Sequence, residues 1–270
     1  MTQLRPSHLP DFDKPPLNEM IVGVQFAPPP TYRSIDAHDV WELFRQVYPG
    51  VQEQPPLAPS FETFGTPFGP QISFNFIGVG GHPRYLFTSI DQAELLQFQP
   101  DRFLHNWRRV PGKNNLYPRF ELIIEKFENE LNILERRLAS YGKKQLDINQ
   151  CEITYVNHIY SSVTESEPNP SDWLTFLRFV EAPADVNMIF RRTLLGPEGR
   201  AFGRLIVETS SAVGVEQRKL INFTLTVRGA PRGTRIEDAI SFLRHGRETI
   251  VTSFATLTTE KAHSDWEMVI

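Results

Sequence analysis

Six polar and aromatic side chains precede a long segment with an apolar stripe, and their types are suited to recognising negative charge. They are Asn106, Trp107, Arg108, Arg109, Tyr117 and Arg119. Paired arginines beside an aromatic ring, close to a helix N-terminus, predict a site for an anion or a nucleotide base. A structural interpretation is also open. In it, Trp107 belongs to the core and the arginines tie strand ends to the acidic helix, since most surface charge pairs contribute little.

A second basic group lies in the other half of the chain. Its members are Arg191, Arg192, Arg200 and Arg204. Residues 101–144 hold ten basic against six acidic side chains, and residues 189–250 hold eleven against six, whereas the segments around them are acidic. If both stretches lay on one concave sheet face, they would form a stripe that binds phosphates. Otherwise each basic group is a solvated face of its own sheet.

Two adjacent polar residues interrupt an apolar segment that is predicted to be a strand. Asn157 and His158 lie within CEITYVNHIY, where a buried polar group needs a hydrogen-bond partner or a route to solvent. One hypothesis places His158 in a pocket between the sheet and a long helix, lined by Trp107, Tyr155 and His158, with a ligand-binding or proton-transfer role. The alternative is a hydrogen-bonded structural histidine.

The remaining motifs predict neither a metal ion nor a cofactor. Gly78, Gly80 and Gly81 lead to a strand and lack the lysine and helix of a phosphate-binding loop, so they predict a hairpin turn. Cys151, the single cysteine, predicts a small buried residue and a chain without an internal disulfide, as in a reducing compartment. No metal-ligand spacing joins the other histidines, which are His8, His38, His82, His105, His245 and His263.

The composition gives no whole-chain argument for a nucleic-acid or membrane partner. The 270 residues are 40% hydrophobic and 22% charged, with a formal net charge of -4. No segment approaches the roughly 18 apolar residues that a membrane helix requires, and residues 1–13 lack the pattern of an export signal. We therefore expect a cytoplasmic protein without a membrane partner.

Two long amphipathic helices must position the candidate side chains. The first is predicted over residues 118–141, and its apolar stripe is Phe120, Ile123, Ile124, Phe127, Leu131, Leu134, Leu138 and Tyr141. The second stripe begins at Ile236, ends at Leu257 and is broken by Arg247. Apolar residues at every third or fourth position indicate one buried face, so each helix needs a surface to lie on.

Strands and short helices supply that surface. In the first part of the chain, we predict a strand over 20–26 and a short helix after Asp36. An irregular connection over 51–70 follows, with at most one edge strand near 61–64. We then predict a hairpin of 71–77 with 84–88 and a strand over 94–98. In the second part, we predict a strand over 151–160, a short helix over 171–180 capped by Ser171, and strands near 187–195, 204–209 and 219–228.

This element order predicts an α+β fold of two similar halves, each an antiparallel curved sheet packed on one long helix. Residues 1–16 would form an extended lead-in, 17–145 the first half and 146–270 the second, fused in one globular unit. The order is similar to that of a duplicated TATA-box-binding-protein-like or helix-grip fold. Both an open saddle and an enclosed cavity satisfy the order, and fold analogy carries no function.

Several stretches of the chain also resemble the signature stretches of one protein family. They are PLNEMIVGVQF, RYLFTSIDQAELLQFQPDRFLHNWRR followed by YPRFE, and CEITYVNHI. The family is an uncharacterised, sporadically distributed bacterial one of similar length and of unknown function, and the resemblance covers about Pro16 to the C-terminus. It implies no activity or catalytic residue. The sporadic distribution resembles that of genes on mobile or defence-related islands.

Three functions follow from these observations. The first is a non-enzymatic binding or interaction protein with a protein partner, as part of a bacterial defence or toxin-neutralising system, because catalytic motifs are lacking in the sequence. The second is a nucleic-acid binder that uses a basic concave sheet. The third is a small-ligand binder or enzyme with a pocket between the sheet and a long helix.

Overall fold

The fold is built on one large antiparallel sheet of nine strands. The computed structural model describes residues 5–65, 82–142, 144–160, 168–179, 183–214 and 217–269. Its strands are β1 (Asp11–Phe12), β2 (Leu17–Phe26), β3 (Gly50–Gln54), β4 (Arg84–Thr88), β5 (Glu94–Gln99), β6 (Arg102–Arg108), β7 (Ile148–Tyr160), β8 (Asn187–Leu195), β9 (Ala201–Val213), β10 (Lys219–Gly229) and β11 (Met268–Val269). Its helices are α1 (Ala37–Phe44), α2 (Phe120–Leu138), α3 (Pro170–Trp173), α4 (Ile236–Leu257) and α5 (Glu260–Asp265).

Strands β2 and β7 lie side by side at the centre of the sheet, whose order is β3-β4-β5-β6-β2-β7-β10-β9-β8. Their antiparallel register places Val22 opposite Ile153. On each side of this pair, the next strand is the last one of the meander that follows in the chain, β6 beside β2 and β10 beside β7. One continuous sheet therefore runs through both predicted halves of this α+β chain.

The sheet has a helix face, covered by α2 and α4, and an open face, which residues 55–65 cross. Successive side chains of a strand point to opposite faces. On β7, Ile153 lies against α4, whereas the hydroxyl of Thr154 lies 2.8 Å from that of Thr226 on the open face. This alternation decides which neighbouring residues in the sequence can share a site.

Both predicted long helices are confirmed, and each packs on strands of its own half. Phe127 of α2 stacks on Phe103 of β6 with ring centroids 6.0 Å apart. Helix α4 lies on β7 and β10, and Gly246 permits the close approach, because a Cβ there would lie 2.7 Å from Cγ2 of Ile153. None of the helices in the described part of the chain has the length and apolarity needed to cross a membrane.

The connection after α1 differs from the prediction. Residues 50–54 form β3, which pairs with β4 and places Val51 opposite Phe87, although this stretch was expected to be irregular. The edge strand predicted near 61–64 is wrong, since no strand is assigned there. Backbone groups of Ser60 and Thr63 bond instead to the side chains of Gln25 and Arg204 on the sheet. The predicted 71–77 hairpin strand and the turn at Gly78, Gly80 and Gly81 lie outside the described residues.

The short helix predicted over 171–180 is confirmed only at its start. It is limited to α3, and its N-cap is Asn169, whose Oδ1 accepts a hydrogen bond from Ser171 N at 3.1 Å. Ser171 was expected in that role, but Pro170 occupies the first helical position, which proline favours. Beyond the helix, Leu174 bridges to Thr258 instead of continuing the turn.

The N-terminal residues include ordered structure before β2. Strand β1 pairs with β11, so the two ends of the chain meet. Phe12 is buried, and its ring contacts that of Phe254 on α4 at 5.3 Å. The extended lead-in predicted for residues 1–16 thus contains, in its described part, a strand anchored to the core.

Candidate functional site

A cavity of about 60 Å³ lies on the helix face, where α2, α4, β7 and the N-terminal residues meet. Tyr117, Arg119, Tyr155 and Asn157, four of the residues singled out in the sequence, line it. Its other polar lining residues are Arg5, Asp11, Glu121 and Arg247. Two residues from separate predicted clusters, Tyr117 and Tyr155, therefore come together in space, and we call this site the helix-face pocket.

Arg247 is the most deeply buried charge of the helix-face pocket, with only 4% of its surface exposed. Its Nη2 lies 3.2 Å from Oε1 of Glu121, and its guanidinium lies over the ring of Phe120, 5.5 Å from the centroid. Its Nε has no hydrogen-bond partner among the described residues. Because buried donors are nearly always paired, this N–H is a candidate contact for a bound acceptor.

Two tyrosine hydroxyls lie together in the same pocket. The hydroxyl oxygens of Tyr117 and Tyr155 are 3.2 Å apart. Burial raises the pKa of both phenols, so both remain protonated at neutral pH. Trp107 packs against Tyr117 with ring centroids 5.1 Å apart, which fixes the tyrosine ring. The pair can bond to each other with one hydroxyl hydrogen and still present the other to a ligand.

The entrance of the pocket carries a surplus of positive charge. Asp11 Oδ1 lies 2.6 Å from Arg5 Nη1 and 2.8 Å from Arg119 Nη1, so one carboxylate serves two guanidinium groups. With Arg247 and Glu121 included, three basic groups face two acidic ones. The pKa of Arg5 is lowered, first by burial and also by the neighbouring arginines. This balance favours a bound group with a single negative charge.

The backbone at Arg119 is strained where the first long helix begins. Arg119 has φ 75° and ψ 151°, a conformation that costs a residue with a side chain about 1–3 kcal/mol. It lies directly before α2, and its side chain reaches Asp11 of β1. The strained turn thus aims a guanidinium across the mouth of the helix-face pocket.

Asn157 is buried beside the tyrosines, with 2% of its surface exposed. Its Nδ2 donates a hydrogen bond to the carbonyl oxygen of Phe223 at 3.0 Å. The sequence predicted that this buried polar group needs a hydrogen-bond partner, and a backbone carbonyl of β10 supplies it. Asn157 shapes the floor of the pocket and ties β7 to its neighbour.

His158 does not join the pocket, although the hypothesis placed it beside Trp107 and Tyr155. It follows Asn157 on β7, and the alternation of the strand places it on the open face, opposite Asn222 of β10. Burial lowers the pKa of its imidazole. Of the three residues predicted to line the pocket, Tyr155 does so, and Trp107 packs behind the lining residue Tyr117. His158 does not line it.

The residues of the first basic cluster are likewise split between the two faces of the sheet, and only Tyr117 and Arg119 line the pocket. Asn106 is on the open face, where its Nδ2 donates to Glu19 Oε1 at 2.7 Å. Arg108 Nε donates to the carbonyl of Gln92 at 2.9 Å, and Arg109 Nε to the carbonyl of Leu17 at 2.8 Å. These contacts match the structural interpretation, in which the side chains tie loops to strand ends.

The second basic cluster is also divided. Arg204 is buried on the open face and pairs with Glu62, and Arg191 lies on that face at the exposed edge strand β8. Arg192 faces the helices and donates to Ser253 Oγ at 3.3 Å. Arg200 is exposed in the turn between β8 and β9. The cluster therefore does not form one continuous stripe.

Sequence reasoning missed four residues of the pocket, namely Arg5, Asp11, Glu121 and Arg247. The signal for Arg247 was present, because a charged residue broke the apolar stripe of the second helix. A charge on a buried stripe requires a partner, and Glu121 of the other long helix supplies it. Arg5 and Asp11 gave no signal, because their positions depend on the pairing of β1 with β11.

A second group of buried polar side chains lies between β6 and α2, and its members bond to one another. Glu130 accepts hydrogen bonds from the hydroxyl of Tyr48 at 2.7 Å and pairs with Nδ1 of His105 at 2.8 Å. All three side chains are buried. Within the described residues, no group of three or more His, Cys, Asp and Glu side chains has a geometry suited to a metal ion.

No family model matches the chain, and no curated protein matches it significantly. The resemblance to an uncharacterised, sporadically distributed bacterial family therefore stays a prediction, and the function must be argued from the geometry.

Proposed function

We propose that this chain is a non-enzymatic binding protein whose helix-face pocket holds a small anion, most simply a ligand with one carboxylate group. The observation that carries the proposal is the buried guanidinium of Arg247, which is paired with Glu121 on one side and leaves its Nε–H without a described partner. A carboxylate is the acceptor that a guanidinium binds best, because the two planar groups match.

The remaining groups of the pocket support binding of an anion. Both tyrosine hydroxyls stay protonated, and one of their two hydrogens is available to a ligand. The extra guanidinium at the mouth attracts a single negative charge. The surrounding apolar side chains, such as Phe12 and Ile250, keep the site dry, and its volume of about 60 Å³ suits a carboxylate with no more than a small alkyl group. Donors that are fixed on α4, on β7 and directly before α2 favour recognition without a chemical step.

We further infer that residues 17–145 and 146–270 are two similar halves of a TATA-box-binding-protein-like or helix-grip type. The strand order supports this inference, because in each half the strands of the meander follow the central strand in reverse chain order. They are β6, β5, β4 and β3 beside β2, and β10, β9 and β8 beside β7. Each half also closes with a long helix on the same face of the sheet.

The basic concave sheet that would bind nucleic acid stays a prediction. The ion pairs of the open face argue against it, since Glu62 neutralises the two arginines nearest to it, Arg204 and Arg228. Titration with single- and double-stranded DNA and RNA at several salt concentrations tests it, because phosphate contacts give steep salt dependence. The cytoplasmic location and the role in a defence system also stay predictions.

The proposed anion site can be tested by isothermal titration of the purified protein with acetate, benzoate, phenylacetate and inorganic phosphate. We expect acetate, the smallest carboxylate of the panel, to bind more tightly than benzoate, phenylacetate or phosphate, because the cavity holds only about 60 Å³. The matched variant is the double substitution Glu121→Gln/Arg247→Met, which removes both buried charges together. Losing a charge-assisted hydrogen bond worth about 1.5–3 kcal/mol predicts a loss of affinity of about 10- to 100-fold.

The control is Arg136→Gln, which removes an exposed arginine from α2 without touching the pocket. This variant should bind each ligand like the unaltered protein. Equal affinity of the double variant and the unaltered protein for every carboxylate would contradict the proposal, as would the absence of binding by any member of the panel.

A further inference from the structure

The open face of the sheet is crossed by residues 55–65, which we call the crossing segment. It follows β3 and carries three prolines, Pro55, Pro56 and Pro59. Its backbone passes β5 at Leu57, β2 at Ser60 and β9 at Thr63, so it runs across the strands. A segment in this position covers polar side chains of the sheet that would otherwise face solvent.

Two glutamine side chains hold the backbone of the crossing segment. Gln99 accepts from Leu57 N at 2.9 Å and donates to the carbonyl of Leu57 at 3.0 Å. Gln25 accepts from Ser60 N at 3.0 Å and donates to the carbonyl of Ser60 at 2.8 Å. Each amide therefore pairs with both backbone groups of one residue, whatever its side chain. The two contacts are three residues apart, which is the repeat of a polyproline II helix.

Arginines hold two further carbonyl groups of the segment. Arg102 Nη2 donates to the carbonyl of Ala58 at 2.9 Å, and Arg204 Nη2 to that of Thr63 at 2.6 Å. Both arginines are largely buried. Backbone recognition by side chains at four successive places, over an extended chain with prolines, is how proteins bind peptide ligands.

One side chain of the crossing segment is recognised by charge. Oε2 of Glu62 lies 2.8 Å from Arg204 Nε, and its Oε1 lies 3.4 Å from Arg228 Nε. Arg228 Nε also lies 3.1 Å from Glu152 Oε2. The guanidinium of Arg204 lies over the ring of Phe64, 5.1 Å from its centroid. The open face thus recognises a pattern of two side chains, an acidic residue followed two positions later by an aromatic one.

The fit between the segment and the sheet is incomplete. A cleft of about 250 Å³ remains beneath Ala58 and Ser60, and it is also lined by Gln150, Glu152 and Gly23. Gln150 is 3% exposed, and its Nε2 has no partner within the part of the chain that is described. Burial raises the pKa of Glu152. A chain with a larger polar side chain in place of Ala58 or Ser60 would fill this cleft and pair with the amide.

We propose that the open face is a docking groove for an extended, proline-containing segment of a partner protein. The partner segment carries an acidic residue where the crossing segment has Glu62. The crossing segment occupies the groove in cis, and the partner displaces it. The acid-binding arginine pair and the two amide clamps select an acidic, extended polypeptide over a nucleic acid, because Gln99 and Gln25 pair with peptide N–H groups as well as carbonyls. The groove lies on the face opposite the helix-face pocket, so the two proposals stand independently.

A tethered occupant competes at a high effective concentration, of millimolar order for a short linker. The intact protein should therefore bind a free copy of the segment weakly. Removing the occupant should expose the groove and strengthen binding of the same peptide in trans.

The test uses the full chain with residues 55–65 replaced by a glycine and serine segment of equal length. The probe is a fluorescein-labelled peptide of residues 54–65, QPPLAPSFETFG, followed by fluorescence anisotropy. We expect the replaced chain to bind this peptide at least tenfold more tightly than the intact chain does. A peptide with Glu62→Lys should bind at least tenfold more weakly than the parent peptide, and a peptide with Ala58→Asn should bind more tightly.

A second variant keeps the proposal testable if the replaced chain does not fold. Glu62→Lys in the full chain places a cation beside Arg204 and should release the segment, which raises amide hydrogen exchange at Leu57 and Ser60 and permits binding of the parent peptide. A folded variant that binds no peptide, or unchanged exchange together with no binding, would overturn the proposal. Tight binding of a single-stranded oligonucleotide in place of the peptide would overturn it in favour of a nucleic-acid surface.

Discussion

The two faces of the sheet bury charge in different ways. On the helix face, Arg247 has one carboxylate partner, Glu121, and lies beside a cavity with apolar surroundings. On the open face, Arg204 and Arg228 share Glu62, and Arg204 also donates to the backbone of the crossing segment. We propose that the cavity beside the helix-face ion pair binds a small anion. Charges that a movable segment pairs indicate a surface that is already occupied.

The largest expected effect is the loss of stability that follows when the buried ion pair on the helix face is broken. Arg247→Met leaves Glu121 without its partner in a buried position and should lower the free energy of unfolding by about 3 kcal/mol. The double variant Glu121→Gln/Arg247→Met should recover most of that loss, because no unpaired charge remains. Urea denaturation measures both variants, and Arg136→Gln, at an exposed site on α2, provides the control. Equal losses in the single and double variants would contradict the role assigned to the ion pair.

The approach of α4 to the helix face should be sensitive to added volume, with a smaller effect on stability. Gly246→Ala places a Cβ 2.7 Å from Cγ2 of Ile153 and 3.2 Å from Cγ1 of Val227. Overpacking costs about 1–3 kcal/mol, whereas the helix propensity of alanine returns about 1 kcal/mol. We expect a net loss of about 1 kcal/mol in thermal or urea denaturation. Ser241→Ala, at an exposed position of the same helix, should be neutral or slightly stabilising. A more stable Gly246→Ala variant would show that α4 lies farther from the sheet.

The open face should respond more weakly, because the charges there are accessible to solvent once the crossing segment moves. Arg204 and Glu62 are both largely buried, yet Glu62→Gln should lower the free energy of unfolding by only about 1 kcal/mol, because the segment can move aside and let water reach the unpaired arginines. It should nevertheless raise amide hydrogen exchange at Leu57 and Ser60, whose backbones Gln99 and Gln25 hold. Glu198→Gln, which removes an exposed carboxylate near Arg200, is the control and should change neither quantity. A large loss of stability from Glu62→Gln would mean that the segment is part of the core.

The smallest expected effect is a pH dependence on the open face. Burial lowers the pKa of His158 below its usual value of 6.5, so the unfolded chain binds more protons than the folded one just below that pH. This contribution to stability is therefore complete above pH 6.5 and is lost as the pH falls from that value through the lower pKa of the folded state. His158→Asn should flatten the slope of unfolding free energy against pH in this range. An unaltered slope in His158→Asn would contradict the burial argument.

Local periodicity made the long helices predictable from the sequence. The apolar stripes of α2 and α4 repeat every three to four residues, and a helix buries such a stripe on any apolar surface. The pairing of β2 with β7 was not predicted, because it joins residues more than a hundred positions apart and leaves no local signal. The same holds for β1 with β11, which brings Asp11 to the pocket.

The candidate site was predictable only in part. Tyr117, Arg119, Tyr155 and Asn157 were chosen for their chemistry and do lie together. His158 was grouped with them because it is adjacent in the chain, yet adjacent residues of a strand face opposite sides of the sheet. The partners of Arg247 depend on how two helices pack, which one-dimensional spacing does not specify.

The most direct test of the helix-face pocket is to locate a bound monoanion. Crystals soaked in sodium bromide can be measured at the bromine absorption edge, where anomalous scattering identifies each bromide. The account predicts a bromide within hydrogen-bonding distance of Arg247 Nε and a tyrosine hydroxyl, and its loss in the Glu121→Gln/Arg247→Met variant. Anomalous peaks beside Arg204 and Arg228 only, with none in the pocket, would contradict it.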